Sequence, residues 1–365
     1  MSRHVSRRGG MLALAVAAVA ALGGCATPST RYAQPDAAAV AEEARRQREL
    51  ALQTFVARHR RLDRVAFRLL AAGAPLCGER TVRSIGVRLF NRHTFGRELR
   101  EAAVSHLRAD ESVRVLYPVP GAPAETAGLR GGDVLLRVGR EPVPEGRGAV
   151  AKALRLLREA ARVGEGVRLE VLREGERLSV PVRAVRICDY GVVLARADEV
   201  NAYADGRRVI VTAGMMRFVE DERELALVVS HEIAHNAMGH LKARMRNYLL
   251  GSIFDIIAAA YGVNTQGMFG QAAAQAYSKE FEAEADYVGL YLMARAGFPL
   301  EGAANFWRRM AAEYPASIRR SHTATHPATA ERFAAIELTL GEIERKRAAG
   351  APLLPERRKP EQPKT

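Results

Sequence analysis

The sequence predicts an α+β protein in which mainly helical stretches at residues 37–75 and 189–345 flank a β-rich module at residues 76–188. Three observations carry that expectation. Apolar residues recur at helical spacing early in the chain (Leu50, Phe55, Val56, Leu62, Val65, Leu69, Leu70). A second helical pattern, Leu225, Ala226, Leu227, Val228 and Val229, leads into a His-rich segment. Between them, Gly128, Gly131 and Gly132 punctuate short β-branched runs, because glycine supplies turn conformations that other residues resist. The chain of 365 residues is long enough for each part to bury its own core.

Taken in order, Arg3, Arg7 and Arg8 precede an apolar run from Met11 to Leu22 that ends in Leu22-Gly23-Gly24-Cys25. A basic start, a short apolar run and small residues describe an export signal over residues 1–24, and about a dozen apolar residues are too few to span a bilayer. Residues 25–36 read as a linker, and residues 37–75 as helical. Within the module, the pattern predicts a helix over 149–161 and strands over 167–172 and 177–185. Residues 247–276 are small and apolar, interrupted by Asp255, Asn264 and Gln266, and are expected to form a helical hairpin packed on the helices around it, the alternative being a lid or membrane-facing loop. Residues 346–365, rich in Arg, Lys and Pro, read as a disordered tail.

The chemistry concentrates at His231-Glu232-Ile233-Ala234-His235. Two His four apart on a helix point the same way and can hold one Zn²⁺, with the Glu between them placed as a general base. A His six residues after the second His would supply a third ligand, but position 241 is Leu. His240 would lie about 140° round a continuing helix and reads as a residue behind the site or on the surface. The remaining source is a carboxylate from a later helix. Residues 278–296 provide one, opening with Ser278 and holding Glu280, Glu282, Glu284 and Asp286, and composition does not choose among the three Glu.

These motifs together resemble the zinc metallopeptidases of the CAAX prenyl endopeptidase superfamily, in the branch of HtpX and BepA. The resemblance implies a gluzincin-like fold with a small β-hairpin or sheet, in which Glu282 is the third zinc ligand and Asp286 orients a ligand His. Asn201-Ala202-Tyr203-Ala204 and Arg208–Gly214 resemble the family's hairpin, whose edge strand can pair with an extended substrate. Thr325-His326-Pro327 and Arg332 resemble a late His-Pro segment, which implies that His326 can approach and plug the metal site and that Arg332 lies near substrate. Residues 37–75 match the family's N-terminal helices and are expected to pack with residues 189–345 as one domain.

Residues 113–139 resemble the centre of a bacterial PDZ domain, with Ala122-Pro123-Ala124, Ala127-Gly128-Leu129 and Gly132-Asp133. A PDZ domain captures a peptide by strand addition, and Ile85, Gly86 and Val87 are the candidate peptide-binding residues. The stretch 92–110 is long for a minimal PDZ domain, so it can serve domain docking. The leader resembles a bacterial lipoprotein signal, which makes Cys25 the lipidated residue and leaves Cys77 and Cys188 to pair in an oxidising compartment.

The formal net charge is +14, but the excess is Arg spread along the chain, with six Lys, and no base-reading or phosphate-cradling motif accompanies it. Nucleic acid is therefore not an expected partner. The expectation is a zinc metalloendopeptidase with one Zn²⁺ per chain, tethered through Cys25 on the periplasmic side of the envelope, the outer membrane favoured, and acting on unfolded or envelope proteins. The alternative is an envelope-protein chaperone or assembly factor whose zinc site is latent behind His326.

Overall fold

The computed structural model describes residues 30–164, 166–261, 263–275, 278–314 and 330–356. The leader over 1–24, Cys25, His326 and the last nine residues of the tail lie outside the described residues. The chain divides into two units, Met1–Gln47 and Arg48–Thr365. In the first, helix α1 (Ala37–Ala72) begins where Asp36 accepts the Ala39 N–H at 2.7 Å, and Glu42 pairs with Arg45 and Arg46 on an exposed face.

In the second unit, α1 buries Leu52, Leu62, Val65, Ala66, Leu69 and Leu70. Leu50, expected on that face, is 65 % exposed. It sits about 200° round the helix from Leu52, which takes its place. A short 3-10 turn (Ala74–Leu76) leads to Cys77, and the chain enters the module through β1 (Thr81–Ser84). There follow β2 (Val87–Phe90), α2 (Arg97–Leu107), β3 (Arg114–Pro118), α3 (Pro123–Thr126), β4 (Val134–Val138) and β5 (Glu141–Pro142). The module closes with α4 (Ala149–Val163), β6 (Gly166–Arg173), β7 (Glu176–Arg183) and β8 (Val185–Cys188).

Its main sheet runs β2-β3-β4-β6-β7, with β5 on β4, and every pairing is antiparallel. Leu89, Val115, Leu135, Val138, Leu169 and Val171 pack against Ala153, Leu157 and Ala161 of α4 in one core. At the neck, β1 pairs antiparallel with β8, Thr81 opposite Cys188, and a Cys77–Cys188 disulfide closes the point where the chain leaves and returns.

The long 92–110 stretch is where the module docks. Phe90, Phe95, Leu99, Ala102 and Ala103 bury against Leu52 of α1, with Phe55 and Val56 alongside. Two turns further along α1, Asp63 accepts from Arg88 Nε at 2.8 Å and from the Tyr117 hydroxyl at 2.8 Å. Burial and the Asp63 carboxylate push the Tyr117 phenol well above its ordinary range, so it stays a donor.

The chain then returns to the α1 core. Strands β9 (Gly191–Ala195), β10 (Ala202–Ala204) and β11 (Arg208–Thr212) form a sheet in the order β10-β11-β9, with β10 antiparallel to β11 and β9 parallel to it. Helices α5 (Ala213–Phe218), α6 (Glu222–Met238), α7 (His240–Ala260), α8 (Met268–Gln275), α9 (Ser278–Arg295), α10 (Ala303–Glu313) and α11 (Ala330–Ala348) follow. Thr212 caps α5 through the Met215 N–H, and Asp221 caps α6 through the Glu224 N–H. Helices α6 and α9 pack at the centre, burying Leu225, Val228, Val229 and Ile233 against Leu290, Tyr291 and Met293.

Two expectations need correction. The 247–276 hairpin packs chiefly on itself, α7 against α8, rather than on the helices around it. Gly251 and Gly270 let the two backbones approach, since a Cβ at Gly251 would stand 2.4 Å from the Phe269 carbonyl. Asp255 accepts the Phe269 and Gly270 N–H groups and the Thr265 hydroxyl, so the one acidic residue of this stretch serves its turn. The tail is ordered to residue 356: α11 runs on to Ala348, Lys346 Nζ donates to the Leu354 carbonyl at 2.7 Å, and the Glu356 N–H donates to the Tyr287 hydroxyl at 2.9 Å. Composition misreads it because the tail's anchor on Tyr287 is a contact 69 residues away in sequence. No helix among the described residues is long and apolar enough to cross a membrane.

Candidate active site

Helix α6 presents His231 and His235 one turn apart, their Nε2 atoms 3.1 Å from each other. Helix α9 brings Glu282 onto the pair, with Oε2 3.3 Å from His231 Nε2 and Oε1 3.4 Å from His235 Nε2. One ligand atom from each of the three lies within 4.8 Å of the others. The crossing that allows this is set at Gly289, two turns beyond Glu282, where a Cβ would stand 3.2 Å from the His231 backbone nitrogen. Of the three Glu that the sequence left open, Glu282 is buried on the His pair, Glu280 is exposed, and Glu284 turns towards His240.

Asp286, one turn after Glu282, places Oδ1 2.9 Å from His231 Nδ1 and accepts from Arg332 Nε at 2.8 Å. A carboxylate on the far nitrogen fixes the tautomer that leaves Nε2 facing the cluster. Arg332 is buried, bonds both Asp286 oxygens, reaches Glu282 at 3.4 Å, and lies over Trp307. This Arg, which the resemblance puts near substrate, holds Asp286 in the structure and touches the Glu282 carboxylate.

Burial disfavours a charged His231, but Asp286 and Glu282 outweigh it and push its pKa up to about 10, whereas burial holds His235 below its ordinary value. Burial likewise opposes ionisation of Asp286, and Arg332 and His231 overcome it. The donor set tests whether a metal fits: His231, His235 and Glu282 bring one ligand atom each to within 4.8 Å of the others, and two imidazoles with one carboxylate are a zinc donor set that leaves a fourth position for water.

Sequence reasoning missed Asn236. Its Oδ1 accepts the Gly206 N–H at 2.7 Å and its Nδ2 donates to the Arg208 carbonyl at 3.0 Å, pinning the β10–β11 turn to α6 directly after His235. Asn in the helical run beside the motif, where an apolar residue would pack, was the signal. Strand β10 is thereby held beside the catalytic helix as the outer strand of its sheet, with Tyr203 exposed.

The candidate peptide-binding residues are less open. Ile85 is buried in the module core, and Val87 is half-buried. The Gly86 N–H is 3.2 Å from Ser84 Oγ, and a Cβ at Gly86 would meet Ala122 and Phe67 of α1.

Comparison with known proteins agrees with this geometry. Residues 169–339 match Peptidase family M48, and residues 84–183 match the PDZ domain. Residues 169–339 are thus similar to the metallopeptidases of family M48, and residues 84–183 to PDZ domains. Among curated relatives, the mitochondrial metalloendopeptidase OMA1 of Schizosaccharomyces pombe is 32 % identical over 153 residues, covering 40 % of this chain and 45 % of that protein. The β-barrel assembly-enhancing protease of Yersinia pestis is 30 % identical over 153 residues, covering 38 % of this chain and 31 % of that protein. The chain therefore spans less than half the length of these relatives. Among solved structures, the HtrA3 PDZ domain bound to a phage-derived ligand aligns at TM-score 0.22 and 20 % identity, over 29 % of this chain and 88 % of that one.

Proposed function

We propose that this protein is a zinc-dependent metalloendopeptidase that hydrolyses peptide bonds of unfolded or envelope proteins on the periplasmic side of the cell envelope. The observation that carries the reading is the buried convergence of His231, His235 and Glu282 beside Glu232. Zinc held there would supply Lewis acidity and lower the pKa of a coordinated water.

The chain's own residues supply the rest. Glu232 takes the proton of the attacking water and passes it to the leaving amine. Asp286 and Arg332 keep His231 oriented. Strand β10, pinned by Asn236, offers its outer edge to an extended substrate, which aligns a peptide backbone without selecting a side chain. That suits unfolded substrates, and the PDZ domain adds selection before they reach the edge. A lipid on Cys25 tethers the enzyme. The exposed apolar hairpin α7–α8 supports a position close to a membrane, since Phe254, Ile256 and Tyr261 all face solvent.

The experiment measures zinc content and cleavage of an unfolded model protein by wild type and Glu232→Gln. Expected are one zinc in each and cleavage by wild type alone, with a loss of at least about 10²-fold in the variant. Equal cleavage by both removes Glu232 as the base. Zinc in both with no cleavage of any unfolded or envelope protein favours the chaperone alternative.

A further inference from the structure

His240 and Glu284 have no part in the scheme above, yet they form a continuous hydrogen-bonded path to the second His of the motif. The reading of His240 as a residue behind the site or on the surface rests on α6 continuing through residue 240. It does not continue: Gly239 takes a left-handed conformation (φ 72°), α6 ends, and His240 begins α7. The turn carries the imidazole back under His235. It is 3 % exposed and stacks on Phe281, with centroids 4.7 Å apart and planes at 23°.

The proton positions follow one from another. His235 directs Nε2 to His231 and Glu282, so as a metal ligand it carries its proton on Nδ1. That Nδ1 lies 2.9 Å from His240 Nδ1. Two facing imidazole nitrogens share one proton, so His240 accepts at Nδ1 and carries its own proton on Nε2. His240 Nε2 lies 2.9 Å from Glu284 Oε2, an acceptor. The two ligand His are therefore backed differently: His231 directly by a carboxylate, His235 by a carboxylate acting through a second imidazole.

We infer that His240 and Glu284 are positioning residues that fix the tautomer and ring orientation of His235 for metal binding. Glu284 thus belongs to the same site as Glu282, two residues away, without being a ligand. The inference rests on the zinc reading of the cluster.

The test uses the full chain and zinc alone. Affinity is measured by competition with a chromogenic chelator for wild type, His240→Phe, His240→Asn and Glu284→Ala, beside metal-free melting temperatures. Long-range ¹H–¹⁵N spectra of zinc-loaded wild type report the imidazole tautomers. Expected are Nδ1–H on His235 and Nε2–H on His240, and an affinity loss of about 10–100-fold in His240→Phe. His240→Asn, whose side-chain oxygen can accept from His235, should recover part of that loss. Glu284→Ala should lose less than His240→Phe, since the half-exposed Glu284 acts on His235 only through His240. An Nδ1–H tautomer on His240, or zinc affinity in His240→Phe within about twofold of wild type, overturns the relay while leaving the zinc site standing. A wild type that takes up no zinc removes the zinc reading itself. The tautomer assignment needs no variant, so a misfolded His240→Phe leaves the inference testable.

Discussion

Helices α6 and α9 cross in the deepest part of the molecule, whereas α7 and α8, the segment between them in sequence, carry their apolar residues outwards. At the crossing, charged groups are buried and apolar groups surround them: His231 is 1 % exposed, and Ile233, Leu290 and Tyr291 have no exposure. In the hairpin the order is reversed, with Ile256 70 % and Tyr261 84 % exposed. Burial follows what each pair of helices must hold. A three-residue donor set needs a rigid, dry frame to keep its geometry without metal. The hairpin holds chiefly itself, through glycine contacts and the Asp255 turn, and turns large apolar side chains outwards.

The largest effect that would break this contrast is at Asp286. Asp286→Ala leaves Arg332 and His231 buried with their shared carboxylate gone, and it should cost about 3–5 kcal/mol together with most zinc affinity. Urea denaturation of the metal-free chain measures the first and chelator competition the second. The sign of the pH dependence follows from the same group. Asp286 has a depressed pKa when folded, so its contribution is fully present above the ordinary carboxylate range and is lost only as pH falls through the folded value. The metal-free protein should keep this contribution at pH 5, and a loss already there would show that Asp286 is not paired as described. Next in size is Gly289→Val. Its added side chain would press on the His231 backbone, where a Cβ alone has 3.2 Å, and it should cost about 1–3 kcal/mol and weaken zinc binding. Gly289→Ala should cost less, because the backbone needs to give by only a few tenths of an ångström.

The same contrast explains what was legible in the sequence. The His231–His235 pair is a local pattern, because the helical period alone puts both rings on one face. The β-rich module was legible through its glycine-punctuated turns, and its helix through apolar spacing. The choice among Glu280, Glu282 and Glu284 was not legible from spacing, because it depends on where α9 crosses α6, a register fixed by Gly289. His240 was left between a place behind the site and the surface, because the reading extended a helix that Gly239 ends, although the glycine itself was the available signal. Arg332 and the ordered tail depend on contacts across more than forty residues, which periodicity does not carry. For the hairpin, the first of the two readings, packing on the helices around it, was the one that failed. Apolar content ordinarily predicts burial, and here it marks exposed surface.

The smallest stability effect should therefore come from the hairpin, although its surface is the more apolar of the two regions. Phe254→Asp with Ile256→Asp removes two large exposed apolar side chains, Phe254 meeting the Phe269 ring with centroids 6.2 Å apart, so the change in unfolding free energy should stay within about 0.5 kcal/mol per site. If the hairpin were part of the core, each change would cost several times that. Binding should respond where stability does not. Exposed Lys242, Arg244 and Arg246 lie at the start of α7, and Asp255 is the one charged residue between Arg246 and Lys279. An apolar tip above a basic base matches an anionic bilayer, with its headgroups outside its acyl chains. Co-sedimentation of the variant with vesicles containing phosphatidylglycerol should fall well below wild type, with the zinc content of both unchanged. Equal co-sedimentation would mean that the hairpin's surface is not what meets the membrane, and would leave a second protein chain as its partner.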